Sequence, residues 1–166
     1  QVPARYGNAH PNIVPYQVFA VADGHIIASI GNDQQFARFA DILGLGELSE
    51  DARFTTNPAR VEHRQILIPI LSEAIGQRQK AELLAAMEAA GVPGGPVHSL
   101  DEVFSSDQVK ARDMVVHMPY DLAGEGEVRL IGNPIKMSET PVSYRHAPPQ
   151  CGEHNDAVMA DWLADD

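Results

Sequence analysis

Two dense apolar runs rich in Val, Ile and aromatics, Val14 to Val21 and His25 to Ile30, stand either side of Asp23-Gly24. An Asp-Gly pair tolerates positive φ, so the pattern predicts a β-hairpin with its turn there. Tyr16 and Val18 fall on one face of the first strand, Phe19 and Val21 on the other. With apolar groups on both faces, at least one strand is expected to be covered on both sides.

The period then changes from two to that of a helix. Phe36, Phe39, Ala40 and Leu43 fall at i, i+3, i+4 and i+7 behind Asn32 and Asp33 as cap candidates, with Gly44 as the stop. Asn57-Pro58 supplies an N-cap and a proline at the first helical position. It predicts a longer helix with Ile66, Leu67, Ile70, Leu71, Ala74 and Ile75 inward and Gly76 at its end. Pro69 inside that helix costs about 3 kcal/mol, so a kink near Leu67 or two abutting helices is expected. Gln79 to Ala90 reads as a further helix with Leu83, Leu84 and Met87 inward, closed by Gly91. Pro93 to Pro96 reads as a stiff loop. Ser99 with Glu102 forms an S-x-x-E capping box opening a helix that runs, with some irregularity, to Arg112.

Beyond Asp113, Met114 to Met118 and Glu127 to Ile131 read as strands joined by the acidic, glycine-containing stretch Asp121 to Gly126. Gly132 to Gln150 holds four prolines and no helical period, and reads as a connector running over a surface. Asp156 to Leu163 is the last helix, capped by Asn155, with Val158, Met159 and Trp162 on one face. The order hairpin, helices, hairpin predicts an α+β fold: a small antiparallel sheet with packed helices, followed by an extended connector and a C-terminal helix. Connector and helix read as an arm that packs on another unit.

Charge narrows the function. The chain has 23 acidic and 12 basic side chains, a net charge of −11, which argues against nucleic-acid binding, where clustered Lys and Arg displace counterions. The longest apolar run, Ile66 to Leu71, is far short of the ~20 residues of a membrane span, and no amino-terminal segment is laid out as a signal peptide. The single cysteine, Cys151, cannot form an internal disulfide or a multi-thiolate zinc site. A cytoplasmic location is expected. The chain opens at Gln1 with an irregular polar stretch of eleven residues and reads like the middle of something longer.

Candidate chemistry is sparse. Gly44-Leu45-Gly46 follows a helix and lacks a third glycine, so it reads as a helix stop rather than a phosphate loop. No two of the histidines at 10, 25, 63, 98, 117, 146 and 154 have the spacing that puts a metal pair on one helix face, and no metal site is assigned. Cys151 stands three residues before His154 in a loop, a spacing that assures no thiolate–imidazole contact. Gly152-Glu153-His154-Asn155 reads first as a helix start and second as a ligand contact. Tyr6 to Asn12 is the other stretch of interest. One glycine followed by polar side chains and a proline lets backbone N–H groups point outward, which suits an anion or a carbonyl oxygen; an ordinary loop is the competing reading.

Several of these stretches, taken in order, resemble the class III CoA-transferases, the family of formyl-CoA transferase, carnitine CoA-transferase and the α-methylacyl-CoA racemases. Gly7-Asn8-Ala9-His10-Pro11 with Pro15-Tyr16, Asp23-Gly24 with Ile30-Gly31-Asn32-Asp33, Gly91 to Val97, and Gly152-Glu153-His154 match its blocks, and Asn57, Arg60 and Val61 fit its N-x-x-R-V. The resemblance covers essentially the whole chain but only the carboxyl-terminal part of a family member. It implies residues 1–131 as a small α+β domain and 132–166 as a connector and helix returning to a large Rossmann-like domain of an interlocked homodimer.

The resemblance further implies transfer of CoA from an acyl-CoA to a small carboxylic acid, through an aspartate that lies outside this chain. No catalytic residue is therefore assigned within it, and the isolated stretch is expected to be inactive. It implies no permanently bound cofactor, with the coenzyme A thioester as substrate. Gly7, Asn8 and His10 become the candidates for touching substrate, although Gly7 alone is glycine where formyl-CoA transferases carry a glycine-rich loop. An acyl-CoA racemase or epimerase, working by acid/base chemistry beside the thioester, is the alternative within the family. A non-catalytic module that packs against a partner subunit is the alternative outside it.

Overall fold

The computed structural model describes residues 5–163, so residues 1–4 of the irregular opening stretch lie outside the described residues. The fold is α+β, with seven α-helices and two antiparallel sheets, of three and two strands, among the described residues. The chain divides into two compact units, Gln1–His98 and Ser99–Asp166.

In the first unit, β1 (Tyr16–Val21) pairs antiparallel with β2 (Gly24–Ser29). Val21 stands opposite Gly24, so the turn is Ala22-Asp23, one residue earlier than the Asp-Gly pair predicts. Gly24 supplies the positive φ, 147°, as the first residue of its strand. The Asp23 carboxylate is used outside the hairpin and accepts the Lys80 N–H at 2.7 Å.

Where Pro93 to Pro96 is expected as a stiff loop, Gly94–Val97 is instead a strand, β3, on the far side of β2. Glycine and proline carry almost no strand propensity, and what places them in the sheet is the tertiary contact discussed below.

Four helices follow in this unit, α1 (Asp33–Leu43), α2 (Asn57–Glu62), α3 (Arg64–Gly76) and α4 (Lys80–Ala89), with α3 and α4 packed on the sheet. The caps of α1 are as predicted, with the Asn32 side chain accepting the Gln35 N–H and Gly44 left-handed at φ 75°. At α2 the N-cap is Thr56, not Asn57; Thr56 Oγ1 accepts the Ala59 N–H, and Asn57 is free for other work. The long helix breaks at His63 rather than near Leu67, and Pro69 stands inside α3. Restarting at Arg64 puts the proline in the second turn, where it forgoes one hydrogen bond, to the Gln65 carbonyl. Phe19, Ile26 and Ala28 of the sheet, Ile30 just after β2, Phe36 and Phe39 of α1, Leu67, Leu71 and Ile75 of α3, and Leu83 and Met87 of α4 form the core with Phe54.

The second unit opens with α5 (Leu100–Ser105), whose capping box is complete: Ser99 Oγ accepts the Glu102 N–H and the Glu102 carboxylate accepts the Ser99 N–H. The helix expected to reach Arg112 is two, because Ser106 leaves helical geometry and caps α6 (Asp107–Ala111). β4 (Val115–Pro119) and β5 (Glu127–Ile131) pair as the second hairpin. Residues 132–150 hold neither helix nor strand. In α7 (Asn155–Trp162) the cap position belongs to His154, without a side-chain bond, and Asn155 is the first helical residue rather than the cap. Val158, Met159 and Trp162 of this helix are exposed, Trp162 by 79%.

Candidate functional site

The sequence predicts a site at Gly7, Asn8 and His10, and all three lie in a loop laid along the outer edge of β1. A turn opens it, with the Ala9 N–H donating to the Tyr6 carbonyl at 3.0 Å and Gly7 at φ 61° in the first central position. Glycine is what a II′-type turn asks for there. A Cβ on Gly7 would meet nothing within 4 Å, so the backbone faces open space. Asn8 Oδ1 accepts the Val18 N–H at 2.9 Å, and the His10 N–H donates to the Tyr16 carbonyl at 2.9 Å. The loop thus satisfies two groups that a strand neighbour would otherwise claim, and it blunts the free edge of the sheet.

Both polar side chains keep a donor in hand. The Asn8 carboxamide spends its oxygen on Val18, and its NH2 donates to none of the described residues. The His10 ring stacks on Tyr16, centroids 5.4 Å apart and planes 19° from parallel. Its Nδ1 accepts the Asn12 backbone N–H at 3.1 Å. A backbone N–H can only donate, so the proton of the neutral ring sits on Nε2, whose N–H donates to none of the described residues.

Three side chains spaced along α2 and the start of α3 grip the backbone that follows. Asn57 accepts the Val14 N–H at 3.0 Å and donates to the Asn12 carbonyl at 2.8 Å. Arg60 is wholly buried and donates to the Val14 carbonyl (2.7 Å), the Phe54 carbonyl (2.9 Å) and Asp33 Oδ1 (2.9 Å), its guanidinium 4.5 Å above the Phe36 ring. Burial pulls its pKa below the ordinary arginine value, and Asp33 opposes that shift. Arg64 donates to the carbonyls of His10 and Pro11, and its guanidinium lies 4.5 Å from the centre of the Tyr6 ring. The N-x-x-R-V signature points to Asn57 and Arg60. Arg64 and Tyr6 carry no motif, and nothing in the sequence marks them.

The other stretches singled out by sequence are placed as follows. Gly91 to Val97 turns through Gly91 at φ 64° into β3, and its residues 91–96, with Leu84, Met87 and Glu88, line a surface cavity of about 580 Å³. In Gly152-Glu153-His154, Gly152 takes φ 80° and Glu153 accepts the Gln150 N–H at 2.7 Å, which closes the turn leading to α7. Cys151 is exposed. Among the described residues no group of three or more His, Cys, Asp or Glu is placed to hold a metal ion, and no helix is long and apolar enough to cross a membrane.

A loop laid on a strand edge, an N-x-x-R signature gripping the segment that follows it, and a glycine-proline signature folded as the third strand lie within a single match. The profile of CoA-transferase family III covers residues 1–155. This chain belongs to CoA-transferase family III. It is 44% identical over 161 residues to a succinate–glutarate CoA-transferase of Agrobacterium fabrum, covering 96% of this chain and 39% of that protein. It is 36% identical over 159 residues to a succinyl-CoA:glutarate CoA-transferase of Homo sapiens, covering 96% of this chain and 36% of that one. Among solved structures, a CAIB/BAIF family protein from Brucella suis superimposes with a TM-score of 0.79 at 40% identity, covering 97% of this chain and 41% of that one. The family III chain therefore spans about two fifths of the length of the relatives it matches.

Proposed function

We propose that this chain is the carboxyl-terminal part of an acyl-CoA:carboxylate CoA-transferase, and that the complete enzyme exchanges CoA between dicarboxylic acids of the succinate and glutarate kind. The observation that carries the reading is the match over 96% of the chain to relatives named for that exchange. In this reading residues 1–131 form the small domain and 132–166 return to a large domain of a cytoplasmic homodimer. The exposed apolar residues of α7 support such a return.

The chemistry begins with an aspartate outside this chain, which attacks the thioester carbonyl and releases the CoA thiolate, leaving a mixed anhydride. The thiolate attacks the aspartyl carbonyl and frees the donor acid; the acceptor carboxylate then repeats the two steps in reverse. Splitting one acyl transfer in this way replaces a hard step with easier ones. Each step presents carboxylate or carbonyl oxygens, and the Gly7 backbone, the Asn8 NH2 and the His10 Nε2–H are donors of the right kind to receive them.

The test uses the full-length protein with succinyl-CoA and glutarate, following glutaryl-CoA by mass spectrometry. Glutaryl-CoA formed in step with free succinate is the expected result. Exchange of the α-proton of an acyl-CoA with solvent deuterium, without CoA transfer, would overturn it in favour of the racemase alternative.

A further inference from the structure

We propose that Arg64 is a positioning residue for the transfer reaction, holding the Gly7–His10 loop in register on β1 without touching substrate. The inference rests on the transferase reading for its chemistry and on geometry for its substance. Asn57 and Arg60 grip the chain only from Asn12 onward, and the β1 edge takes up Asn8 and the His10 N–H. What remains is the turn at Gly7, whose glycine contributes no side chain to hold it. Arg64 spans that gap from both ends. Its fork donates to the His10 and Pro11 carbonyls after the turn, and its face covers the Tyr6 ring before it. A guanidinium is suited to this because its planar donors and its flat, weakly hydrated face can be used together, which an ammonium cannot do. Holding both ends of the turn fixes where the Gly7 backbone, the Asn8 NH2 and the His10 Nε2–H point.

The experiment compares wild-type full-length protein with Arg64→Ala and Arg64→Lys by amide hydrogen exchange of the peptide covering residues 6–12 and by steady-state kinetics. Arg64→Ala is expected to speed exchange in that peptide about tenfold while leaving the core helices protected. It should lower kcat by about 10- to 100-fold with KM changed less than about threefold, since misplacement of donors costs the transition state most. Arg64→Lys, which keeps the charge and loses the fork, should fall between, and it serves alone if the alanine variant does not fold. Unchanged exchange over residues 6–12 would overturn the proposal, and so would faster exchange with unchanged kcat. The exchange comparison needs no substrate, so a wild-type protein that transferred no CoA would defeat the transferase reading while leaving the clamp itself decided.

Discussion

Met87 occupies the space that a side chain on Gly94 would need. A Cβ built at Gly94 would stand 2.3 Å from the Met87 Cε and 2.9 Å from the Ile27 carbonyl oxygen. The first neighbour is a flexible thioether that can swing away; the second is backbone of β2 and cannot. Gly94→Ala is therefore expected to destabilise the protein by about 1–3 kcal/mol through overpacking. Adding Met87→Ala should not restore stability, because it opens a cavity in the core and leaves the clash with Ile27. Urea unfolding followed by far-UV circular dichroism checks both, and a Gly94→Ala protein as stable as wild type would show that β3 can move off β2.

Arg60 and Asp33 form an ion pair in which the two partners are unequally buried: the Arg60 side chain is fully covered and that of Asp33 is 53% exposed. Removing the arginine strands the Val14 and Phe54 carbonyls, while the half-exposed carboxylate can turn to water. Arg60→Met is expected to cost about 3–5 kcal/mol, because two buried carbonyls lose their donor at about 1–3 kcal/mol each. Asp33→Asn keeps an oxygen for the Nη2 bond but leaves the buried guanidinium without its counter-charge; with that bond kept and the position half exposed, the loss should be the smaller, about 1–2 kcal/mol. The ratio of the two losses in equilibrium unfolding is the readout. Equal losses would mean that the charge pairing, rather than the two carbonyl bonds, is what Arg60 supplies.

The hairpin, α1, α4 and the capping box before α5 were legible in the sequence because each rests on a local signal: apolar period, an Asn or Ser cap, a glycine stop. The misreadings share a different cause. β3 has little strand propensity and sits in the sheet where Gly94 lets the Met87 side chain and the Ile27 carbonyl approach, the second a contact between residues far apart in the chain. Asn57 looked like a cap and is used instead to bind the Asn12 and Val14 backbone, with Thr56 taking the cap. Of the candidate site, Gly7, Asn8 and His10 are nominated by motif alone, and nothing in the sequence says how they are held. Arg64 acts on His10 and Pro11 carbonyls more than fifty residues away in sequence, and bonds to backbone leave no mark on the partner's identity.

His10 should behave as a hydrogen-bond donor and not as a base. Its Nδ1 is committed to the Asn12 N–H, which fixes the Nε2–H tautomer, and ¹⁵N-detected spectra of the imidazole check this directly. On the transferase reading, His10→Gln in the full-length protein can place an amide NH2 near the Nε2 position and should retain more activity than His10→Ala. The alanine variant is expected to lose about 10- to 100-fold in kcat/KM, the worth of one hydrogen bond to a charged group. Equal losses in both variants would remove the donor role.

Asp51 offers a titration that tests local geometry independently of function. Its carboxylate accepts from the Arg53 guanidinium, at 2.6 Å from Nη2, and from the Arg53 backbone N–H at 2.9 Å. The side-chain bond first and the backbone bond second hold its pKa at about 2, against an ordinary 3.8. A carboxyl depressed in the folded state contributes stability that is fully present above its unfolded pKa and is lost as pH falls through the folded one. The window is therefore pH 3.8 down to about 2, and the contact should be intact at any pH above it. Following the Asp51 carboxyl carbon by NMR should give a midpoint near 2 in the wild type, and a midpoint raised but short of 3.8 in Arg53→Ala, which keeps the backbone bond. A wild-type midpoint at the ordinary value would mean that the Asp51–Arg53 turn, and with it the 5.0 Å stack of Arg53 on the core residue Phe54, does not persist in solution.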